Sequence, residues 1–205
     1  MMKRLMVTVA AAASLLTLAG VPQAGAAQSA GEGVQTPITV GGLKLIPAHL
    51  TKNNARAAAA AADEQAFLIP SALDPGKCWD AEAASLGRNG TNMLLWDCDT
   101  TKANQAFFIT QIPEGFLRFQ NVANGRYLDA DSNTIGQNGT KVQLWDYVAG
   151  AKNQWWTSTI IPEGWERFSS AASGRYVTAQ GGSSANGTRL QLWSFIAGGQ
   201  SQWWG

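Results

Sequence analysis

Residues 138–156 read NGTKVQLWDYVAGAKNQWW, and this stretch recurs twice in the chain. One copy is residues 89–107, NGTNMLLWDCDTTKANQAF, and the other is residues 186–204, NGTRLQLWSFIAGGQSQWW. Asn-Gly-Thr, Leu-Trp and a final Gln-x-aromatic motif keep the same spacing in all three copies. Gln105 and Gln154 are 49 residues apart, and Gln154 and Gln202 are 48 apart (154 − 105 and 202 − 154). Several landmarks in one register indicate an internal repeat rather than chance similarity.

Each repeat has the pattern of short β-strands. Apolar runs such as Val142–Trp145 are separated by Asn-Gly, Ser-Gly and Pro-Glu-Gly turns, and no sustained 3.6-residue period follows Phe67. Four strands in each of three copies, about 12 in all, are too few per copy to bury separate cores. We therefore predict an all-β domain whose repeats close around a common axis, which also protects the strand edges.

The aromatic residues mark where this domain begins. None of the nine Trp, seven Phe and three Tyr precedes Phe67, so we expect the folded domain to be residues 67–205. Residues 27–66 combine Gly, Pro and an Ala run, which predicts a low-complexity linker or a processed pro-segment. Within it, residues 38–45 favour one short strand and residues 54–62 a short helix. The only histidine, His49, lies here, and we expect it to be solvated rather than catalytic.

Residues 1–26 have the order of a secretory signal peptide. Lys3 and Arg4 precede the mostly apolar run 5–19, and Ala24-Gly25-Ala26 is a small-residue cleavage pattern. The alternative, a membrane anchor, needs about 20 apolar residues. We expect a secreted, extracellular protein with no membrane span after signal removal. Loss of Lys3 and Arg4 would change the net charge from +1 to −1.

Charge and residue types exclude several functions. A net charge of +1, with 14% charged residues, disfavours nucleic-acid binding, although stacking aromatics alone would permit weak single-strand contacts. No histidine follows Phe67, and Glu114 and Glu163 belong to a repeated Pro-Glu-Gly turn. We therefore predict no enzyme activity, no catalytic residues, no cofactor and no metal.

The repeats resemble those of the ricin-B-type lectins. The resemblance rests on Gln-x-Phe/Trp at Gln105, Gln154 and Gln202, and on a Leu-Trp pair about nine residues upstream of each. It also rests on the repeat starts Gly-Lys-Cys-Trp-Asp (76–80) and Gly-Arg-Tyr-Leu-Asp (125–129). It covers residues 67–205 and implies a β-trefoil that binds carbohydrate.

The two cysteines fit this resemblance. Cys78 and Cys98 are the only cysteines, and in an exported chain a disulfide is the default state, with two buried thiols as the alternative. The family often has a bridge at this spacing, worth about 3 kcal/mol for such a loop. At the same offsets repeat two has two tyrosines and repeat three has Tyr and Phe, so an aromatic pair is predicted to fill the equivalent space. Those pairs are Tyr127 with Tyr147 and Tyr176 with Phe195.

The resemblance implies a sugar site that combines a carboxylate, amides and a stacking aromatic ring. Repeat two has the full set: Asp129, Gln143, Trp145, Asn153 and Gln154. Asp129 would accept bonds from sugar hydroxyls, Trp145 would stack on the ring and Asn153 would donate and accept. Gln154 is expected to orient Asp129 rather than to contact sugar.

Repeats one and three depart from this set. Repeat one keeps Asp80, Trp96, Asn104 and Gln105, but Leu94 replaces the Gln, which predicts a weakened site. Repeat three has Thr178 and Ser201 in place of Asp and Asn and is predicted to be silent.

The fold itself could also require these repeated residues. Trp96, Trp145 and Trp193 occur in every copy, so Trp145 is either a stacking platform or a structural wall. Phe107, Trp156 and Trp204 are predicted to fill the core. Thr178 indicates that the fold tolerates loss of the carboxylate, which favours a ligand role for Asp129 and Asp80.

The sequence leaves the ligand open. We expect a monomer that binds a glycan or polysaccharide, of galactose type or from the plant cell wall. The alternatives are a trefoil that binds a protein partner, as an inhibitor or adhesion module, and a targeting module for an enzyme that it meets non-covalently.

Overall fold

The computed structural model describes residues 38–40, 43–50 and 65–205. Within these residues the secondary structure is fourteen β-strands and five 3₁₀ turns, with no α-helix. The strands are β1 Ile38–Val40, β2 Leu43–Pro47, β3 Phe67–Leu68, β4 Pro70–Ser71, β5 Asp74–Ala81, β6 Thr91–Asp97, β7 Phe107–Gln111, β8 Leu117–Asn121, β9 Tyr127–Ala130, β10 Thr140–Trp145, β11 Trp156–Ile160, β12 Glu166–Ser170, β13 Tyr176–Ala179 and β14 Leu190–Trp193. The 3₁₀ turns are Ala83–Ser85, Ala103–Gln105, Lys152–Gln154, Gln180–Gly182 and Gln200–Gln202.

The strand pairings recur with the period that the sequence predicts. The hairpins β5–β6, β9–β10 and β13–β14 occupy equivalent places in repeats one, two and three. Their second strands meet, because β10 pairs with both β6 and β14 and Leu94 bridges to Arg189. The hairpins β7–β8 and β11–β12 join one repeat to the next with five residue pairs each. This is a β-trefoil, and the prediction of an all-β fold of three repeats is confirmed.

Trp204 closes the ring of strands. It pairs with Ser71 at the start of repeat one and with Glu166 at the start of repeat three. The Trp204 N–H donates to the Glu166 carbonyl at 2.8 Å, and the Glu166 N–H donates back to Trp204 at 2.9 Å. Two further bonds join the first and last repeats, from the Ala72 N–H to the Trp203 carbonyl at 3.0 Å and from the Gly205 N–H to the Pro70 carbonyl at 2.9 Å, which leaves no open edge at Trp204.

The core consists mainly of aromatic side chains from all three repeats. Phe107, Trp156 and Trp204 have no exposed surface, as predicted. Trp79, which the sequence left without a role, is also fully buried, and its ring lies 5.5–6.2 Å from those of Phe107, Phe119, Phe168 and Trp204. Burial of each large side chain contributes about 1.5–3 kcal/mol, so these rings bind the three repeats into one unit.

The flanks of the three hairpins are filled in two different ways. In repeat one, Cys78 and Cys98 form the predicted disulfide, with Cα atoms 5.0 Å apart. In repeat two, the rings of Tyr127 and Tyr147 lie 5.5 Å apart, and Arg118 lies over Tyr147. Tyr176 and Phe195 form the matching pair in repeat three, at 5.7 Å. The aromatic pairs thus occupy the place of the disulfide.

The structure differs from the sequence prediction at residues 43–50. The sequence predicts a linker over 27–66, whereas β2 pairs with β3 through Ile46–Leu68 and Pro47–Phe67. Leu45 is 1% exposed and packs in the main core. The predicted single strand is a hairpin of β1 and β2. This segment folds because it buries two aliphatic residues and pairs with β3. Its lack of aromatic residues gave no indication of this. The predicted signal peptide and the Ala-rich helix lie outside the described residues.

Candidate functional site

Strand pairing brings the repeat-two residues together. Asp129 on β9 lies directly opposite Gln143 on β10. Leu128 and Ala130, on either side of Asp129, are fully buried in the core. The 3₁₀ turn Lys152–Gln154 follows β10 and carries Asn153 and Gln154 back to the same carboxylate. The hairpin therefore holds Asp129 in place through both its neighbours and its pairing partner.

Three amide groups hold the Asp129 carboxylate. Gln143 Nε2 donates to Oδ1 at 3.0 Å, while Asn153 Nδ2 and Gln154 Nε2 donate to Oδ2 at 2.8 and 3.1 Å. Asn153 is held in turn by a bond from Nδ2 to the Ala130 carbonyl. A carboxylate offers about four acceptor sites, so three donors leave room for one further hydroxyl.

Burial changes the charge state of Asp129. Only 3% of the residue is exposed. Burial, with a smaller contribution from the Asp131 charge, raises the pKa of Asp129 to about 6, although the amide bonds oppose this rise. The group is therefore mainly charged at neutral pH and mainly protonated in mild acid.

Trp145 lies two residues after Gln143 on β10, on the same face of the hairpin as Asp129. It is 38% exposed, while its ring approaches the Asn-Gly turn of repeat one. A Cβ on Gly90 would lie 3.9 Å from the Trp145 ring, and Gly90 has φ +83°. Asn89 fixes this turn by accepting from the Asp146 N–H and donating to its carboxylate, both at 2.9 Å. Trp145 thus has a structural contact and also exposed surface on which a sugar can stack.

Gln154 is a buried residue that holds the loop after Trp145 in place. It is 1% exposed, its Oε1 accepts from the Val148 N–H at 3.2 Å and its Nε2 donates to the Asp146 carbonyl at 2.9 Å. Gln105 and Gln202 make the corresponding bonds in repeats one and three. The repeated Gln therefore fixes the loop after Leu-Trp in every repeat and only orients Asp129.

Repeat one assembles a smaller set. Asn104 Nδ2 and Gln105 Nε2 both donate to Asp80 Oδ2, at 3.0 and 2.9 Å. Leu94 lies opposite Asp80, so no side chain in the described residues takes the place of the Gln143 bond. Asp80 is 8% exposed, and burial raises its pKa. Trp96 is 44% exposed at the position equivalent to Trp145.

Repeat three satisfies its polar groups without a carboxylate. The Thr178 hydroxyl donates to the Tyr176 carbonyl at 2.8 Å and accepts from Gln202 Nε2 at 3.0 Å. Gln191 lies opposite Thr178, and Ser201 is 8% exposed. The side chains therefore form a closed structural arrangement with no anionic acceptor.

A buried carboxyl group elsewhere was not foreseen from the sequence. Glu166 is 2% exposed, its Oε2 has no hydrogen-bond partner, and burial raises its pKa to about 7. Phe67 and Leu117 occupy the equivalent pairing positions, opposite Phe107 and Trp156. The burial of Glu166 could have been predicted from the sequence, because the equivalent residues in the other two repeats are apolar.

The described residues outside the three hairpins offer little further site chemistry. Glu114 and Glu163, the carboxylates of the Pro-Glu-Gly turns, are exposed. No cluster of three or more His, Cys, Asp or Glu in the described ranges could hold a metal ion. None of the helical elements there is long and apolar enough to cross a membrane.

Comparison with known families identifies a lectin-like region. Residues 58–145 match the family model described as ricin-type beta-trefoil lectin domain-like, which confirms the resemblance. The match includes Asp80, Asp129 and Trp145 and ends before Asn153. No curated protein sequence matches the chain.

Solved structures share the fold. A designed three-fold symmetric protein, ThreeFoil, is 22% identical with a TM-score of 0.62, and the match covers 68% of this chain and 95% of that one. An exo-β-1,3-galactanase from Clostridium thermocellum is 24% identical (TM-score 0.61; 68% and 29% covered). The Polyporus squamosus lectin, solved with Neu5Acα2-6Galβ1-4GlcNAc, is 21% identical (TM-score 0.57; 69% and 48% covered).

The chain thus spans about half of that lectin and less than a third of the galactanase. The family match and the lectin-like fold support carbohydrate binding as the general function.

Proposed function

We propose that the chain is a secreted, non-catalytic, monomeric protein that binds glycans through repeat two and, more weakly, through repeat one. The observation that carries this proposal is the buried Asp129 carboxylate, which three amides hold on the hairpin face that also carries the exposed Trp145. Repeat three has the same scaffold but lacks this carboxylate, so the fold does not require it.

The arrangement suits the two kinds of surface on a sugar ring. Trp145 offers an aromatic face for the apolar C–H side of the ring, while Asp129 accepts from a hydroxyl. Because Gln143, Asn153 and Gln154 already fix the carboxylate, binding costs little ordering of the site. The absence of a basic side chain from this set favours a neutral sugar.

The expected affinity is low for a single sugar. A shallow site of this kind corresponds to a dissociation constant on the order of 0.1–1 mM, or about −4 to −5.5 kcal/mol. Simultaneous binding of one polysaccharide at repeats one and two would raise the local concentration for the second contact. Polymers should therefore bind more tightly than monosaccharides.

Galactose-containing glycans are the first ligands to test. The trisaccharide bound by the Polyporus squamosus lectin contains galactose, and the similar Clostridium thermocellum enzyme is a galactanase. Plant cell-wall polysaccharides such as xylan and arabinan form the second group, as expected from the sequence.

A protein partner is the competing function. Val148, Phe195 and Ile196 are 46%, 54% and 36% exposed, which gives repeats two and three an apolar surface beside the sugar positions. This function predicts binding to a protein surface and no response to sugars.

The test is a glycan array with the purified protein and its Asp80→Ala/Asp129→Ala double variant. We expect the parent to bind galactose-terminated or cell-wall glycans and the double variant to bind none. A parent that binds no glycan, or a folded double variant that binds as well as the parent, would overturn the proposal. Circular dichroism of both proteins provides the control for folding.

A further inference from the structure

The N-terminal strand β2 occupies a place that the repeat pattern leaves for a third outer strand. In the hairpins β7–β8 and β11–β12, Gln111 pairs with Leu117 and Ile160 pairs with Glu166. The corresponding partner of Phe67 is Pro47, at the end of β2. Strand β2 therefore stands where a continuation of the third repeat's last strand would lie.

Trp204 and Gly205 form the start of this third outer strand, and β2 forms the rest of it. Trp204 pairs with Ser71, as Phe107 pairs with Asn121 and Trp156 with Ser170. The Gly205 N–H then donates to the Pro70 carbonyl at 2.9 Å. Leu45 of β2 lies in the main core, and Lys44 Nζ donates to the Glu163 carbonyl on the neighbouring turn at 3.2 Å.

The chain continues from β2 onto repeat one. We call residues 44–50 the N-terminal strap. The Ala48 N–H donates to the Ala66 carbonyl at 2.9 Å, and the His49 N–H donates to the Thr100 carbonyl at 2.7 Å. Ala48 and Leu50 pack against the same apolar cluster as Ala103 and the disulfide. The strap thus contacts the loop between the end of β6 and Gln105.

That loop, residues 97–105 or the repeat-one loop, carries the amides of the repeat-one site. Gln105 accepts from the Asp99 N–H at 2.8 Å and donates to the Asp97 carbonyl at 2.9 Å. Asn104 and Gln105 in turn hold Asp80. A continuous set of bonds and packing contacts therefore links the strap to the repeat-one carboxylate.

Repeats two and three present the matching loops differently. The positions equivalent to Asp99 are Val148 and Ile196, which are 46% and 36% exposed, whereas Asp99 is only partly exposed. Among the described residues, β2 has its strand partners only in β1 and β3, and the strap residue His49 bonds to the repeat-one loop, while Lys44 bonds to the turn at Glu163. Repeat one, which lacks the Gln143 equivalent, has this additional support instead.

We propose that the N-terminal strap is a positioning element for the repeat-one glycan site. The strap completes the ring of strands and holds the repeat-one loop so that Asn104 and Gln105 stay on Asp80. This inference rests on the proposed glycan binding at repeat one. It requires residues 44–50 to remain on the functional protein, in contrast to a pro-segment that is removed.

The test compares His49→Pro with His49→Ala in the full chain. Both variants remove the imidazole, but only Pro removes the N–H that bonds to Thr100. Amide hydrogen exchange reports the order of residues 98–103, and the Trp96 and Trp145 indole NMR signals report sugar binding at repeats one and two separately. Loss of one hydrogen bond predicts about 3- to 10-fold weaker binding at Trp96 in the Pro variant than in the Ala variant.

The outcomes separate the two proposals. Faster exchange in the loop and weaker binding at Trp96, with Trp145 unchanged, would support the strap's role. A Trp96 response in the parent that is equal in the two variants would overturn the strap's role and leave glycan binding intact. No Trp96 response in the parent would refute the repeat-one site itself, and the strap's role in it.

A second variant, Leu50→Ser, tests packing rather than the hydrogen bond. Leu50 lies at the edge of its cluster, so the domain should stay folded. We expect the same selective weakening at Trp96. Equal weakening at Trp96 and Trp145 would show a general loss of stability and would contradict a local positioning role.

Discussion

Repeats two and three have almost the same framework and differ in the chemistry that it holds. Gln154 and Gln202 make the same bonds to the loops that follow Trp145 and Trp193. The difference lies at the group that each Gln faces, which is the Asp129 carboxylate in one repeat and the Thr178 hydroxyl in the other.

This difference separates the needs of the fold from those of binding. Thr178 satisfies its hydroxyl within the repeat, so a trefoil repeat is complete without a carboxylate. Asp129 carries a desolvation cost, visible in its raised pKa, that brings the fold no evident benefit. A buried, perturbed carboxylate of this kind is typical of a binding site.

The largest expected effect comes from matched substitutions at these two positions. Asp129→Ala removes the charged acceptor, and we expect binding at repeat two to weaken by more than about 100-fold. Thr178→Ala changes the equivalent position and should leave glycan affinity unchanged. Isothermal titration calorimetry with the tightest-binding glycan measures both. Retained affinity in a folded Asp129→Ala protein would remove Asp129 from the site.

The second comparison concerns stability at equivalent strand positions, Leu117 and Glu166. The folded-state pKa of Glu166, about 7, lies above the ordinary value of 4.5, so folding favours the protonated form. Below pH 4.5 Glu166 is protonated in both the folded and unfolded states and does not reduce the stability of the fold. As the pH rises from 4.5 towards 7, its ionisation in the unfolded state progressively lowers the free energy of unfolding. Glu166→Leu should raise the free energy of unfolding by about 2–3 kcal/mol at pH 8.

At about pH 5 the gain from Glu166→Leu should be smaller, because the parent carboxyl is then mainly protonated. Urea unfolding of parent and variant at both pH values measures the difference. An equal gain at the two pH values would show that ionisation of Glu166 does not affect stability.

Glycan binding at repeat two should depend on pH because the pKa of Asp129 is raised. Because this pKa is about 6, the Asp129 carboxyl is mostly charged at pH 7, but only roughly a tenth of it is charged at pH 5. We expect about tenfold weaker binding at repeat two at pH 5, measured by titration of the Trp145 indole signal. An affinity that rises or stays constant on acidification would contradict binding through the charged form.

The smallest expected effect is a gain at repeat three. The double substitution Thr178→Asp/Ser201→Asn restores the two residue types that distinguish repeat two. Gln191 and Trp193 are already in place, so we expect a new, weak response of the Trp193 indole, on the order of millimolar. If the double variant folds but its Trp193 signal does not shift when sugar is added, further residues are required for binding.

Much of this organisation was predictable because the repeat supplies its own internal comparison. The register of Gln105, Gln154 and Gln202 predicted three equivalent hairpins. The presence of only two cysteines in a chain expected to be exported, together with the family resemblance, predicted the bridge. The candidate site residues of repeat two came from the family resemblance, and strand pairing and the following 3₁₀ turn bring Gln143, Asn153 and Gln154 to Asp129. The glycan role assigned to them remains a prediction.

The parts that the sequence did not predict lie outside the repeats or at positions where one repeat departs from the others. Leu45 and Ile46 belong to a strand without aromatic residues, and that strand pairs with another about twenty residues away, so no local pattern reveals their burial. The burial of Glu166 was also missed, although the equivalent positions in the other repeats, Phe67 and Leu117, are apolar. Trp79 occupies the core where repeat two has Leu128, so it could not be assigned from the repeated Trp positions.

The most direct test of the central claim is a sugar titration of the parent protein followed through its tryptophan indole NMR signals. Trp145 and Trp193 occupy equivalent, similarly exposed positions, so each serves as the control for the other. We predict that a galactose-terminated or cell-wall oligosaccharide shifts the Trp145 signal in a saturable way and leaves the Trp193 signal unchanged. Equal shifts at both indoles, or a shift at Trp193 alone, would contradict the assignment of binding to the Asp129 carboxylate.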